Sequence, residues 1–133
     1  MQLIWAEPNR ARWVGIRPGH GGEQVAVSKE VTDATIIVYT VPAAKRFFLC
    51  DVGISYYAAV AGTNFGLGVR DDVDALVYYL WFHVSNWATS SETGRNFWPP
   101  IEIPAGYDVF IYSSGPTRTV HVFIHGWVQD EGV

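Results

Sequence analysis

The chain has 133 residues, 49% of them apolar and 15% aromatic, with six Trp and seven Tyr. That suffices for one domain with a real core; it is too apolar for a disordered chain and too interrupted by Gly, Pro and charge for a membrane span. Nine basic side chains against thirteen acidic ones, a net charge of −4, argue against a nucleic-acid partner, and the single cysteine excludes an internal disulfide and a cysteine-based zinc site.

Residues 1–32 read as an extended N-terminal arm ahead of a β-sandwich domain over 33–133. Met1–Pro8 lacks a basic start followed by an apolar core, so a secretory signal is not expected and synthesis in the cytoplasm follows. Trp5, Trp13, Val14 and Ile16 are spaced irregularly among Pro8, Gly15, Pro18, Gly19, Gly21 and Gly22. A few large anchors among many turn formers suit a segment lying on its own domain or on a neighbouring subunit. Val25–Val27 predicts one short strand. Gly19–Glu23 lacks the preceding strand, the following helix and the Lys of a phosphate-binding loop, so it is read as an ordinary loop.

From Thr35 the strand signals come at regular spacing. Thr35–Val41 is β-branched and aromatic. Phe48, Cys50, Val52, Ile54 and Tyr56 alternate onto one face, with Asp51, Gly53, Ser55 and Tyr57 on the other. Ala61–Asn64 and Asp71–Asp74 read as turns around a strand over 65–70. In the run 75–88, Leu76, Tyr78, Leu80, Phe82 and Val84 form the expected core face. Thr89–Gly94 reads as a polar loop, and Phe97–Ile103 as a strand. Tyr107, Val109 and Ile111 alternate with Asp108 and Phe110, and Val120, Val122 and Ile124 mark the core face of the last strand. No segment has a helical period with caps. The expectation is all-β: an antiparallel, jelly-roll-like sandwich of seven or eight strands.

Two corners repeat. Val41-Pro42-Ala43-Ala44-Lys45-Arg46-Phe47-Phe48-Leu49 is echoed by Ile103-Pro104-Ala105-Gly106-Tyr107-Asp108-Val109-Phe110-Ile111. Pro at the second position of a type I turn, with Gly106 at the fourth, predicts strand end, tight corner, new strand in both copies.

The faces opposite the core are unusually aromatic. They carry Tyr79, Trp81, His83, Ser85 and Trp87 on one long strand, and His121, Phe123, His125 and Trp127 on the last. A solvated sheet face should be polar, so these positions ask for a partner. Packing under the arm or against identical subunits ranks first. A sugar-binding platform built on Trp81, Trp87 and Trp127 ranks second, and a metal site third. His121 and His125 lie roughly 13 Å apart along a strand, too far to share one ion. Asp71, Asp72 and Asp74 lack the glycine and distal Glu of a hand-type calcium loop. Glu92 and Glu102 have nothing to place them across a cleft. Cys50 reads as core rather than as a nucleophile. The residues point to no catalytic group, no metal and no cofactor.

The run Tyr39–Leu49, followed by Pro100-Ile101-Glu102-Ile103-Pro104-Ala105-Gly106 and by Gly126-Trp127, resembles small β-sandwich structural proteins of tailed bacteriophage particles. The resemblance covers about residues 38–128, and Ala44 stands where the first corner usually has glycine. It implies a non-enzymatic virion protein made in the host cytoplasm, of the capsid decoration or cement type, with no cofactor. Its expected partners are identical subunits, with a trimer by analogy, and the major capsid or another virion protein. Neither nucleic acid nor membrane is an expected partner. The interface would use Trp5, Trp13, Tyr79, Trp81, His83, Trp87, His121, Phe123, His125 and Trp127. The reading from another class is a carbohydrate-binding module or a tail-associated host-recognition domain that touches a glycan.

Overall fold

A computed structural model of the chain describes residues 22–57, 64–84, 90–114 and 119–131. They form eight strands: β1 (Glu23–Thr32), β2 (Ala34–Thr40), β3 (Lys45–Tyr57), β4 (Asn64–Arg70), β5 (Leu76–Val84), β6 (Ser90–Ile103), β7 (Asp108–Ser114) and β8 (Thr119–Asp130). Sheet 1 has the order β1-β8-β3-β6 and sheet 2 the order β2-β7-β4-β5, with every pairing antiparallel. The chain changes sheet at every connection except the one between β4 and β5. This is the eight-stranded, two-sheet arrangement of a jelly roll, as expected, and no helix occurs among the described residues.

The core lies between the sheets. Phe47, Leu49, Val52 and Ile54 of β3 and Val120, Val122, Ile124 and Val128 of β8 meet Phe65, Leu67 and Val69 of β4 and Val109 and Ile111 of β7. Each buried side chain of this size contributes roughly 1.5–3 kcal/mol. Ring pairs join the layers, Tyr39 with Phe47 at 4.9 Å and Tyr56 with Phe65 at 4.8 Å. The expected inward faces of β7 and β8 are the observed ones.

Three expectations about single strands change. First, residues 23–32, read as part of the arm, form β1, which pairs with β8 from Glu23↔Val128 to Thr32↔Thr119. Val25, Val27 and Val31 pack on the core, so the sandwich begins at Glu23 rather than at 33. The alternation had been visible only over Val25–Val27 because Lys29 occupies the next position in phase. Second, the polar segment Ser90–Gly94 is strand, not loop: it pairs with Gly53–Tyr57 as the outer edge of sheet 1, where a strand needs no apolar face. Third, β3 carries a bulge at Cys50, where the register steps from Leu49 to Asp51 against both neighbours. The extra residue puts Phe47 and Leu49, not Phe48 and Cys50, in phase with Val52 and Ile54.

The repeated corners are neighbours in space. Val41 N–H donates to Tyr107 O and Gly106 N–H to Val41 O, both at 2.9 Å, where β2 and β7 run side by side. Each corner is a tight turn, closed by Lys45 N–H to Pro42 O (3.2 Å) and Tyr107 N–H to Pro104 O (3.3 Å). Pro therefore stands first in the turn, not second. The third residue has positive φ, 61° at Ala44 and 82° at Gly106, the mark of type II rather than type I. Beside the corners, Asp108 is buried, accepting from Thr40 Oγ1 at 2.7 Å and meeting Arg70 at 3.4 Å.

Candidate functional site

The two outer faces differ in chemistry. On sheet 1, His121, Phe123 and His125 of β8 project outward as the alternation requires. The two histidines have separate polar partners. His121 Nε2 lies 3.2 Å from Glu30 Oε2, while His125 contacts Asp51 Oδ2 through Nδ1 at 3.0 Å and Gln24 Oε1 through Nε2 at 2.7 Å. Asn96 Nδ2–H donates to the other oxygen of Asp51. The His125 network thus links β1, β8, β3 and β6 in sheet order. Among the described residues no group of three or more His, Cys, Asp or Glu converges as a metal site would require.

Trp127 also lies on this side, but it is only 7% exposed, stacked on Phe48 at 5.2 Å and 18°. Its indole N–H donates to Gln129 Oε1 at 3.3 Å. Once the Cys50 bulge turns Phe48 outward, Phe48 covers the indole. Cys50 itself is half-buried. Desolvation, with the Asp51 charge second, pushes its thiol up to about 11, so at neutral pH it is no nucleophile.

Sheet 2 has an apolar outer surface. Gly66 and Gly68 of β4 lie beneath the rings of Tyr112, Tyr79 and Phe110, where an added Cβ would come within 3 Å of those rings. Tyr79 packs 6.3 Å from both Phe110 and Tyr112, and Arg70 lies 4.9 Å from the Phe110 centroid. Burial raises the Tyr112 phenol, with Tyr79 adding to it. Next to this surface, the edge strand β5 exposes four consecutive large residues: Leu76 (50%), Val77 (46%), Tyr78 (37%) and Tyr79 (42%).

Two expectations for β5 are thereby corrected. Leu76 and Tyr78 do not form a core face, and Trp81 is not on the outer face. Register shifts at Leu67/Gly68 and Val69/Arg70 break the alternation twice. Trp81 pairs with Leu67 and packs against the core, and its ring is covered by the Arg95 guanidinium at 4.6 Å. The three-tryptophan platform is therefore not assembled: Trp81 is half-buried against the core, Trp127 is covered, and Trp87 lies outside the described residues. Trp5 and Trp13 lie outside them too. His83 pairs with Phe65 in the backbone register.

Sequence reasoning placed Tyr79 outward but missed the exposure of Leu76, Val77 and Tyr78 beside it, and the polar partners Gln24, Glu30, Asp51 and Asn96. The run has no periodicity, and the polar partners come from strands that only the sheet order brings together. The Asp71–Asp74 segment is an ordinary acidic turn, with Asp71 Oδ1 accepting from the N–H groups of Val73 and Ala75, both at 2.9 Å.

No family model matches the sequence, and neither does any curated protein. Among solved structures the chain is similar to a protein in the acid-stable capsid structure of Helicobacter pylori bacteriophage KHP30, at 11% identity and a TM-score of 0.49, over 79% of this chain and 92% of that one. It is similar to a protein of the cyanophage Pam1 capsid at 17% identity and a TM-score of 0.48, covering 84% and 90%. A third is a pentameric capsid protein from metagenomic phage sequences, at 13% identity and a TM-score of 0.45, covering 79% of this chain. This chain spans 59% of that protein's length.

Proposed function

We propose that the chain is a non-enzymatic structural subunit of a virus particle, of the type that decorates or cements a capsid, and that it acts by packing against identical subunits and the particle surface. The observation that carries the reading is the exposed run Leu76–Tyr79 on the free edge of sheet 2, continuous with Tyr112 and Ile37 on the outer face. Edge strands that stay monomeric are normally blunted by charge or Pro, and this one presents apolar side chains instead. A stable contact needs about 800 Å² per partner, and burying each of these side chains contributes roughly 1–2 kcal/mol. The Pro-Ala corners supply the particle context through their resemblance to phage sandwich proteins. The segment before Glu23, with Trp5 and Trp13, is read as the part that reaches a neighbouring subunit.

Light scattering on the wild type, on Val77→Asp/Tyr79→Ser and on a chain beginning at Gly22 tests this. A defined oligomer, read as a trimer or otherwise, should fall toward monomer in the double variant with circular dichroism unchanged, and should weaken without residues 1–21. A monomeric wild type at assembly concentrations sinks self-association.

A further inference from the structure

One rung of sheet 1 stands apart from those beside it. Ser28 of β1, Phe123 of β8, Gly53 of β3 and Gly94 of β6 are directly opposite one another in register. Phe123 is 40% exposed, and the two glycines leave bare backbone beside it. The nearest atom to a Cβ added on Gly53 would be Phe123 Cβ, at 3.9 Å. The rungs two residues away carry cross-linked polar groups: Glu30–His121 with Ser55 opposite on one side, and His125–Asp51–Asn96 on the other, where Ala26 stands in register on β1 and Gln24 reaches His125 from the Trp127 rung. At about 3.3 Å per residue, each rail runs some 6–7 Å from the Phe123 row, so the two enclose a channel crossing the strands. The part around Phe123, His121, Glu30 and Ser55 is a depression of roughly 630 Å³.

We propose that this channel binds a neutral carbohydrate chain, one sugar ring stacking on Phe123 while its hydroxyls bond to the two rails. A pyranose presents an apolar C–H face ringed by groups that both donate and accept. Phe123 suits the face, the Glu30 and Asp51 carboxylates accept through their remaining lone pairs, and the Ser55 hydroxyl and Asn96 amide supply donors. Gly53 and Gly94 let the next sugar approach the backbone without a clash. The two carboxylates repel phosphate, sulfate and sialic acid, so the class is neutral rather than anionic; Lys29, at the rim, is the one cation among the residues lining the depression. The proposal is independent of the assembly reading, because the apolar run lies on the other sheet.

The test is calorimetric titration of the full chain with maltohexaose, cellohexaose and chitohexaose, with sialyllactose as the anionic comparison. At least one neutral probe should bind with a dissociation constant near 1 mM or below, and Phe123→Ala should weaken it about tenfold, equivalent to 1.4 kcal/mol. Gly53→Val, which fills the floor beside the ring, should weaken it as well and serves if the first variant fails to fold. Failure of all three neutral probes to bind at about 5 mM, five times that limit, overturns the proposal. So does undiminished binding by both variants, or binding of sialyllactose alone. A fall in solution mass for Phe123→Ala with sugar affinity intact assigns the face to contacts between copies, and the proposal then fails.

Discussion

Gly126 is the position at which a single methyl group tests the register of sheet 1. It lies in β8, between β1 and β3, paired with Val25 on one side and Leu49 on the other. A Cβ there would overlap the Phe48 carbonyl oxygen outright and lie 2.9 Å from Phe47 Cε1. Neither neighbour can yield cheaply, since Phe47 is fully buried and Phe48 O is backbone. Relief requires β8 to shift away from β3 by about 1 Å, which strains the ladder beside the Cys50 bulge. Overpacking of about 1–3 kcal/mol and one or two weakened hydrogen bonds of about 1 kcal/mol each give a loss near 3–4 kcal/mol for Gly126→Ala. For a domain of this size that lowers Tm by roughly 10–20 °C. Gly53→Ala is the control in the same sheet: its added Cβ meets nothing closer than 3.9 Å, and removing a strand glycine should leave Tm unchanged or slightly higher. Differential scanning calorimetry on the three proteins decides it. A Gly126→Ala protein that melts within a few degrees of wild type would falsify the register at the bulge.

The two corners offer a mirrored pair. Ala44 sits at φ 61° and Gly106 at φ 82°, so Ala44→Gly should stabilise by about 0.5–1 kcal/mol and Gly106→Ala should cost about 1–2 kcal/mol in chemical denaturation; the reverse ordering refutes the turn assignment. The Cys50 thiol, pushed up to about 11, leaves about a hundredfold less thiolate at pH 8 than an ordinary thiol at 9.0, so iodoacetamide should label it about a hundredfold more slowly than the unfolded chain. The same shift fixes a sign. The folded state holds this proton more tightly than the unfolded one, so the Cys50 contribution is full below about pH 9 and is lost as pH rises toward 11; burial raises the Tyr39 and Tyr78 phenols above 10.0, so their contribution has the same sign and is lost above pH 10. Urea midpoints that rise over that interval would contradict it. Asp108→Asn should destabilise by about 2–4 kcal/mol, because among the described residues Arg70, 19% exposed at its side chain, then keeps just the exposed Asp74 at 3.8 Å as an ion partner, beside the Phe110 ring. Arg70→Met/Asp108→Asn should cost less than the two single changes together, and strict additivity is the result that rejects the coupling.

The sequence alone determined the fold class and most of the core. Evenly spaced β-branched and aromatic runs, with Gly and Pro between them, leave few alternatives to a sandwich, and the inward faces of β7 and β8 follow from strict alternation. The repeated Pro-Ala corners were legible as corners. Their turn type was not, because whether Pro stands first or second depends on which N–H closes the turn, and that is set by the β2–β7 register. Alternation failed in β3 and β5 for one reason: a bulge inserts a residue and reverses the phase beyond it, and no residue type announces one. Thus Cys50 and Phe48 moved outward and Trp81 inward, while Leu76 and Tyr78 were left exposed on an edge. The polar rails and the bare rung around Phe123 lay beyond sequence reading, since Gln24, Asp51, Asn96 and His125 are brought together only by the order β1-β8-β3-β6. Periodicity reports which way a side chain points within its own strand; which strands stand beside it is decided by tertiary packing.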